Sequence, residues 1–410
     1  MLVLSDLAGH SLAGPRRQPL FSIVNPPPPL PPFTVFMSAL ASSSSSSSTI
    51  RPTLTLRVHL KPITSLLPLQ SSEEQVFSAA PPQHNILSST DDTLILSSLT
   101  TRRAIHTMQT ASPILSLALS AYDSPSASSG IVVQHRSGLI HSYATAADIF
   151  QPTAPPPVTI DCGSATFCHV ATHPTSPSLL IAPTFDTDAW ALADLRISQP
   201  FTHMQPSPDK QSTPAFEKRG MVTALRYVNS SIASNHFLVG YESSAIDLFD
   251  ARNLAQPVST VRCLPPVADE APPPCLALSS HNDTIAAGFA GQADVKYPTL
   301  AFLVIKSTST KNTSDRTSDS ATEGAHIGVT EKIFSSTSEH GSKGIGGVSF
   351  NSSGELASAG WDHRTRVYGV DRSIVRKMRG HEKTVRVVEW ASAKRFVTGG
   401  EDGRICVWDL

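Results

Sequence analysis

Short runs in which apolar and polar residues alternate recur along the chain from about Thr53 onward, with turn-forming residues between them. Such alternation has the two-residue period of a half-buried strand, and no long segment keeps the 3.6-residue period of an amphipathic helix. Many short strands separated by Gly, Asn, Asp, Ser and Pro are typical of a sandwich, a barrel or a propeller. The pattern therefore predicts an all-β domain over residues 51–410.

Three segments depart from this pattern. Residues 1–50 hold the Pro-rich run PPPPLPP and seven consecutive serines, Ser42 to Ser48. This composition cannot bury enough apolar surface to offset the entropy of ordering the chain, so we expect a disordered tail. Two polar stretches, near 197–218 and 307–323, are expected to be mobile loops inserted into the domain.

A repeat accounts for the alternation. The C-terminal segment GHEKTVRVVEWASAKRFVTGGEDGRICVWDL resembles one complete WD40 repeat, and GIGGVSFNSSGELASAGWDHRTRVYGV before it has the same form. Weaker copies bring the number of candidate units to seven, and they are VGYESSAIDLFDAR, FDTDAWALADLR, IAAGFAGQADVKYPTLAFLVI, QHRSGLIHSYA and STDDTLILSSL. Repeats of this kind each form one four-stranded blade of a propeller.

Spacing independently indicates seven blades. LRVHLKPI aligns with MRGHEKTV, which places His59 opposite His381, and the two lie 322 residues apart, or seven steps of 46. WD40 blades usually take about 40–45 residues each, and the two insertions account for the excess. A strand over Thr53 to Arg57 precedes the first repeat, and the last repeat has only three strands. We therefore predict a seven-bladed WD40 β-propeller that its N-terminal strand closes.

Several polar residues stand at the spacing of the WD40 structural tetrad. They are His381, Thr398, Asp402 and Trp408 in the last repeat, Ser358, Asp362 and Tyr368 in the repeat before it, and His59 in the first. A set of His, Thr and Asp also suggests a catalytic relay. The repeat context explains every member as part of a buried hydrogen-bonded chain, so we interpret the set as structural.

Four residues beside the tetrads are candidates for binding a protein partner. Trp361 directly precedes Asp362, and Glu401 directly precedes Asp402. In WD40 rings this position faces the upper surface, where an aromatic side chain is a possible anchor. Lys383 and Arg386 are predicted to lie on the same rim, and a rim of mixed charge suits protein partners.

Charge and cysteine content narrow the possible functions. With 32 basic and 33 acidic residues, the chain has no overall basic field for nucleic acid. Five scattered cysteines do not make a disulfide framework and favour a reducing compartment. Cys162, Cys168 and His169 lack the spacing of a zinc site. We predict no catalytic residue, metal or cofactor, and neither a secretory signal nor a membrane segment.

The segments LRVHLKPI, GMVTALRY, VGYESSAIDLFDAR and above all AGWDHRTRVY resemble the ASTRA-associated WD-repeat family, whose animal relative is the G-protein β-subunit-like 1 protein. The resemblance implies a non-catalytic scaffold subunit in the nucleus, and also in the cytoplasm. Its implied partners are RuvB-like AAA+ ATPases, PIKK-family kinases and their cochaperone. The implied roles are chromatin-related regulation and kinase maturation.

Two other functions stay open at this point. A substrate receptor or adaptor in another complex, such as a ubiquitin ligase, would use the same fold, although no F-box-like segment precedes the repeats. An enzyme built on a propeller would need carboxylates or metal ligands that converge at the central channel, and the sequence shows no such set.

Overall fold

A computed structural model describes most of the repeat region, and all of the described residues belong to one compact unit. The described residues are 50–69, 85–121, 129–151, 158–163, 166–176, 178–186, 189–196, 201–204, 219–264, 271–291, 299–308, 326–334 and 343–410. The predicted disordered tail, apart from Ile50, lies outside them.

The described residues form seven four-stranded antiparallel sheets, which we call blades 1 to 7 in chain order. Blades 1 to 3 contain β2 (Ser65–Leu69), β3 (Asn85–Ser89), β4 (Thr93–Ser98) and β5 (Arg103–Gln109); β6 (Ile114–Ala121), β7 (Ser129–His135), β8 (Leu139–Tyr143) and β9 (Val158–Asp161); and β10 (Ala171–Thr172), β11 (Leu179–Pro183), β12 (Trp190–Asp194) and β13 (Phe201–Met204).

The remaining blades follow the same order, with β1 as the exception. Blades 4 to 7 contain β14 (Val222–Tyr227), β15 (His236–Tyr241), β16 (Ala245–Asp250) and β17 (Ser259–Arg262); β18 (Cys275–His281), β19 (Thr284–Phe289), β20 (Leu300–Thr308) and β21 (His326–Phe334); β22 (Ile345–Phe350), β23 (Leu356–Gly360), β24 (Arg364–Tyr368) and β25 (Ile374–Arg379); and β26 (Val385–Ser392), β27 (Arg395–Gly400), β28 (Arg404–Asp409) and β1 (Leu54–Arg57).

The first strands of successive blades contact one another all the way round, and β26 of blade 7 contacts β2 of blade 1. This closes the ring, and the predicted seven-bladed β-propeller is confirmed. One short helix is described, α1 (Ala146–Ile149), which Thr145 and Asp148 cap reciprocally. No helix in the described part of the chain is long and apolar enough to span a membrane.

The N-terminal strand completes the last blade, as the repeat count predicts. β1 pairs with β28 from Leu54 opposite Val407 to Arg57 opposite Arg404. Leu56 is 3% exposed and packs into a cluster shared by blades 7 and 1, so its burial holds the two ends of the ring together. Burying a leucine in this way stabilises the fold by about 1.5–3 kcal/mol.

Serine side chains join neighbouring inner strands around the ring. The hydroxyl of Ser65 in blade 1 accepts a hydrogen bond from the backbone N–H of Leu117 in blade 2, at 3.0 Å. The hydroxyl of Ser279 in blade 5 accepts one from the N–H of Phe350 in blade 6, at 3.1 Å. Both serines are buried, so these bonds satisfy backbone donors that no strand pairing reaches.

The structure corrects the boundaries of both predicted insertions. Phe201–Met204 lies inside the first and forms β13, the outer strand of blade 3. β20 extends to Thr308, so the first two residues of the second insertion are strand. β13 pairs with the preceding strand β12, and Ser307 and Thr308 pair with the following strand β21, so in both cases strand pairing overrides the local sequence. The rest of both segments lies outside the described residues.

Candidate functional site

Four side chains from different parts of the last repeat meet inside blade 7. His381 lies between β25 and β26, Thr398 on β27, Asp402 in the turn after β27, and Trp408 on β28. The Trp408 Nε1–H donates to Thr398 Oγ1 at 2.9 Å, and that oxygen lies 2.8 Å from His381 Nε2. His381 Nδ1 lies 3.0 Å from Asp402 Oδ1. The chain of hydrogen bonds thus satisfies the polar atoms inside the blade.

The electrostatics of these hydrogen-bonded side chains favour the protonated form of His381. Burial alone would lower the pKa of His381, but hydrogen bonding and charge attraction, chiefly from Asp402, raise the pKa to about 9. The Asp402 carboxyl loses solvation as well, and its contact with His381 still lowers its pKa below the usual value. An ion pair therefore ties the loop before β26 to the turn after β27.

Blade 6 has a different set of polar contacts at the equivalent place. Ser358 and Tyr368, which the sequence places in its tetrad, are both fully buried. The Ser358 hydroxyl, however, has no hydrogen-bond partner among the described residues. Asp362 instead binds Arg366, whose Nη1 and Nη2 lie 3.0 and 2.6 Å from the two carboxylate oxygens. Arg366 is 1% exposed and occupies the repeat position of Cys406. Its guanidinium takes the place of the histidine as partner of the acid.

Blade 1 has only part of this chain of hydrogen bonds. His59 is buried and its Nε2 lies 2.8 Å from Ser88 Oγ, which matches the bond between His381 and Thr398. Asp92, at the repeat position of Asp402, forms an ion pair with Lys61. Because burial outweighs the attraction of Asp92, the pKa of His59 is lowered to about 4. His59 is therefore neutral at pH 7.

Blade 4 contains a buried ion pair that the sequence analysis missed. Arg219 Nη1 lies 2.9 Å from Asp247 Oδ2, and the Thr260 hydroxyl donates to Asp247 Oδ1 at 2.8 Å. Arg219 also lies over the ring of Tyr241, 5.4 Å from its centre. Burial raises the pKa of Asp247, while Arg219 opposes that rise. The sequence contains a signal for this pair, because Asp247 places an acid at the repeat position that Arg366 and Cys406 occupy in blades 6 and 7.

The four candidate partner-binding residues lie at the same end of blades 6 and 7, which we call the rim. The backbone N–H of Trp361 donates to Gly344 O at 3.0 Å, and that of Glu401 donates to Thr384 O at 2.9 Å. Trp361 and Glu401 therefore occupy equivalent places in successive blades.

Contacts among the rim residues hold some of their side chains in place. Arg386 is exposed and its Nη2 lies 2.7 Å from Glu401 Oε1. Trp361 is half-buried, and its ring nitrogen lies so near Gly346 that a Cβ there would approach it to 2.9 Å. Lys383 is exposed, and no described residue forms a salt bridge with it. The rim thus combines a half-buried tryptophan with an arginine that Glu401 holds in place and an exposed lysine.

Two phenylalanines of blade 3 were not among the sequence candidates. Phe167, before β10, and Phe185, in the turn after β11, are 64% and 73% exposed. The Arg136 guanidinium lies 4.6 Å from the centre of the Phe167 ring. Exposed aromatic residues on loops are the kind of side chain that anchors protein partners.

The cysteines do not cluster as ligands in the described structure. All five are buried and none forms a disulfide, and Cys162 Sγ lies 2.9 Å from Gly138 O. Burial raises the pKa of Cys168. Among the described residues there is no group of three or more His, Cys, Asp or Glu that could hold a metal ion.

Comparison with known proteins gives the class of the protein. The chain matches the WD domain, G-beta repeat family over residues 331–369 and 372–409, the last two repeats of the sequence. Its fold is similar to that of the Cps50 (Swd1) β-propeller domain of Myceliophteria thermophila. The TM-score is 0.58 and the identity 14%, over 88% of this chain and 99% of that one. Together with the seven-bladed ring, the matched repeats make this chain a WD-repeat β-propeller.

Proposed function

We propose that the protein is a non-catalytic scaffold subunit that binds other proteins through the rim of blades 6 and 7. The observation that carries the proposal is the arrangement there of half-buried Trp361 beside exposed Arg386, which pairs with half-buried Glu401. A tryptophan in a mixed-charge surround has the composition of an interface hot spot. The two histidines of the tetrads support a structural rather than a catalytic assignment, because each is buried in hydrogen bonds to its own blade.

We further propose an ASTRA-like assembly as the setting, with RuvB-like AAA+ ATPases, PIKK-family kinases and their cochaperone as partners, in the nucleus and the cytoplasm. Support comes from the sequence resemblance, whose most specific segment, AGWDHRTRVY, spans the turn that carries Trp361. In this account the protein supports chromatin-related regulation and kinase maturation by holding partners together.

Affinity purification of the tagged full-length protein from its own cells, followed by mass spectrometry, tests the setting. The proposal expects PIKK-family kinases, their cochaperone and RuvB-like ATPases in proportion to the bait. Recovery of cullin-type ligase subunits in their place would contradict it and favour a substrate receptor. Sustained turnover of esterase or phosphatase substrates by the purified ring would contradict the non-catalytic assignment.

A further inference from the structure

Positive charge is concentrated on the outer edge of blade 6, although the chain as a whole has a net charge of −1. Residues 364–379 contain six arginines and lysines and a single acid, Asp371. The cationic edge, as we call it, consists of the following residues on and beside β25: Arg51, Arg364, Arg376, Lys377 and Arg379.

The geometry of β25 places like charges next to one another. Arg364 of β24 stands directly opposite Arg379, and both are exposed. Arg51 follows Ile50, whose carbonyl accepts a hydrogen bond from the N–H of Arg379 at 3.2 Å. Like charges in directly opposite positions destabilise a sheet, so folding alone gives no reason for this arrangement.

The acids near this edge already have partners. Asp362 binds Arg366, Glu382 binds Arg404, and Asp371 accepts hydrogen bonds from Ser373. No salt bridge of the described residues includes a member of the cationic edge. Residues 1–49 hold one acid, Asp6, and therefore cannot neutralise it.

Charged outer strands often serve to block aggregation between sheet edges. The other outer strands argue against that explanation here. β5 of blade 1 has one arginine in seven residues, and β9 of blade 2 has no cation, whereas β25 has three cations and no acid in six residues. A protective role would apply to every blade, so the concentration on β25 points to a ligand.

The exposed face of β25 indicates how that ligand binds. At its C-terminal end the outer edge of the strand is already in use, because Ile50 pairs with Met378 and accepts a hydrogen bond from the N–H of Arg379. Lys377 and Arg379 are both exposed and lie two residues apart, so their side chains share one face of the strand. Arg364, directly opposite Arg379, adds a third cation to that face.

We propose that the exposed face of β25 in blade 6 binds an acidic, extended segment of a partner protein through the side chains of Arg364, Lys377 and Arg379. Side chains two residues apart on a strand repeat at about 6.8 Å, so acidic residues at alternate positions would meet Lys377 and Arg379. Val375, which is 55% exposed, would contact an apolar residue of the segment. No exposed aromatic ring is present on β25 to stack on bases, which favours a peptide over a nucleic acid.

Fluorescence anisotropy with the full chain tests the proposal. The probe is a labelled peptide of about twelve residues in which Glu and Val alternate, compared with a lysine-for-glutamate version. We expect binding of the acidic peptide only, weakening as salt rises. Lys377→Glu with Arg379→Glu should weaken it at least about tenfold, and Lys377→Gln with Arg379→Gln by less. Circular dichroism confirms that both variants keep the fold.

The matched control is Arg102→Glu with Arg103→Glu, which makes the same charge change beside the exposed outer strand of blade 1. It should change the dissociation constant less than twofold. An equal loss in the control, or unchanged binding in the Lys377 and Arg379 variant, would overturn the proposal. Tighter binding of a dT12 oligonucleotide at this edge would overturn it too, in favour of a nucleic acid.

The proposal rests on the protein-binding function but uses another surface. Trp361→Ala should therefore leave peptide binding unchanged, and the two proposals can fail separately.

Discussion

Arg366 and Asp362 form an ion pair inside blade 6 at the place where His381 and Asp402 pair in blade 7. The Arg366 Nη2 lies 2.6 Å from Asp362 Oδ2, against 3.0 Å between His381 Nδ1 and Asp402 Oδ1. The cation comes from the third strand in blade 6 and from the loop before the first strand in blade 7. Both arrangements join the turn after the second strand to the rest of the blade.

The first prediction concerns the buried arginine. Arg366→Met leaves the half-buried Asp362 carboxylate without its partner, and breaking a buried pair costs about 3–5 kcal/mol of unfolding free energy. Chemical denaturation monitored by circular dichroism measures this loss. Arg364→Met, two residues earlier and exposed, should change stability by less than about 0.5 kcal/mol. Adding Asp362→Asn to Arg366→Met should recover part of the loss. Equal stability of the two single variants would contradict the role given to Arg366.

The second prediction concerns pH. The pKa of His381 is raised in the folded state, so its stabilising contribution is complete below about pH 6.5 and is lost as the pH rises through about 9. The unfolding free energy of wild type minus that of His381→Gln should therefore fall by about 3 kcal/mol between these values. Below about pH 4 it falls again, because Asp402, whose pKa is lowered, becomes protonated.

His59→Gln is the matched control for the pH prediction, because His59 stands at the same repeat position in blade 1. Its pKa is lowered to about 4, so the neutral form is favoured by folding and its contribution is lost as the pH falls from about 6.5 towards 4. The difference curve for this variant should be flat from pH 7 to 9. Parallel curves for the two variants would show that the charge states assigned to the histidines are wrong.

The third prediction tests closure of the ring. Leu56→Ala removes a buried side chain from the cluster between blades 7 and 1, and should lower the unfolding free energy by about 2–5 kcal/mol. Leu60→Ala, four residues later and 94% exposed, should be neutral. Thermal denaturation followed by circular dichroism compares them. If the two variants melt together, β1 does not hold the ring closed.

The sequence could predict much of this fold for a physical reason. Alternation of apolar and polar residues is a local signal, so the third strand of every blade falls on one of the seven repeat units. Closure was predictable as well, because Thr53 to Arg57 reads as a strand with no partner in its own repeat. β13 and β21 were not found as strands, since pairing with β12 and β20 specifies them more than their own residues do.

The site was predictable only where the repeat motif is intact. The positions of His381, Thr398, Asp402 and Trp408 follow from the motif, and the structure brings all four together. The pairs of Arg366 with Asp362 and of Arg219 with Asp247 replace the motif by other chemistry, which the spacing of a histidine cannot indicate. The cationic edge was hidden by the net charge of −1, because charge summed over a chain carries no information on where it lies.

Binding of partner proteins by the rim of blades 6 and 7 can be tested by one replacement. Trp361→Ala should leave the melting temperature within about 2 °C of wild type and reduce partner recovery in quantitative affinity purification at least about tenfold, as loss of an interface anchor does. Ile105→Ala, which removes an exposed apolar side chain from blade 1, is the control and should recover partners fully. Equal recovery with Trp361→Ala and with wild type would contradict the account.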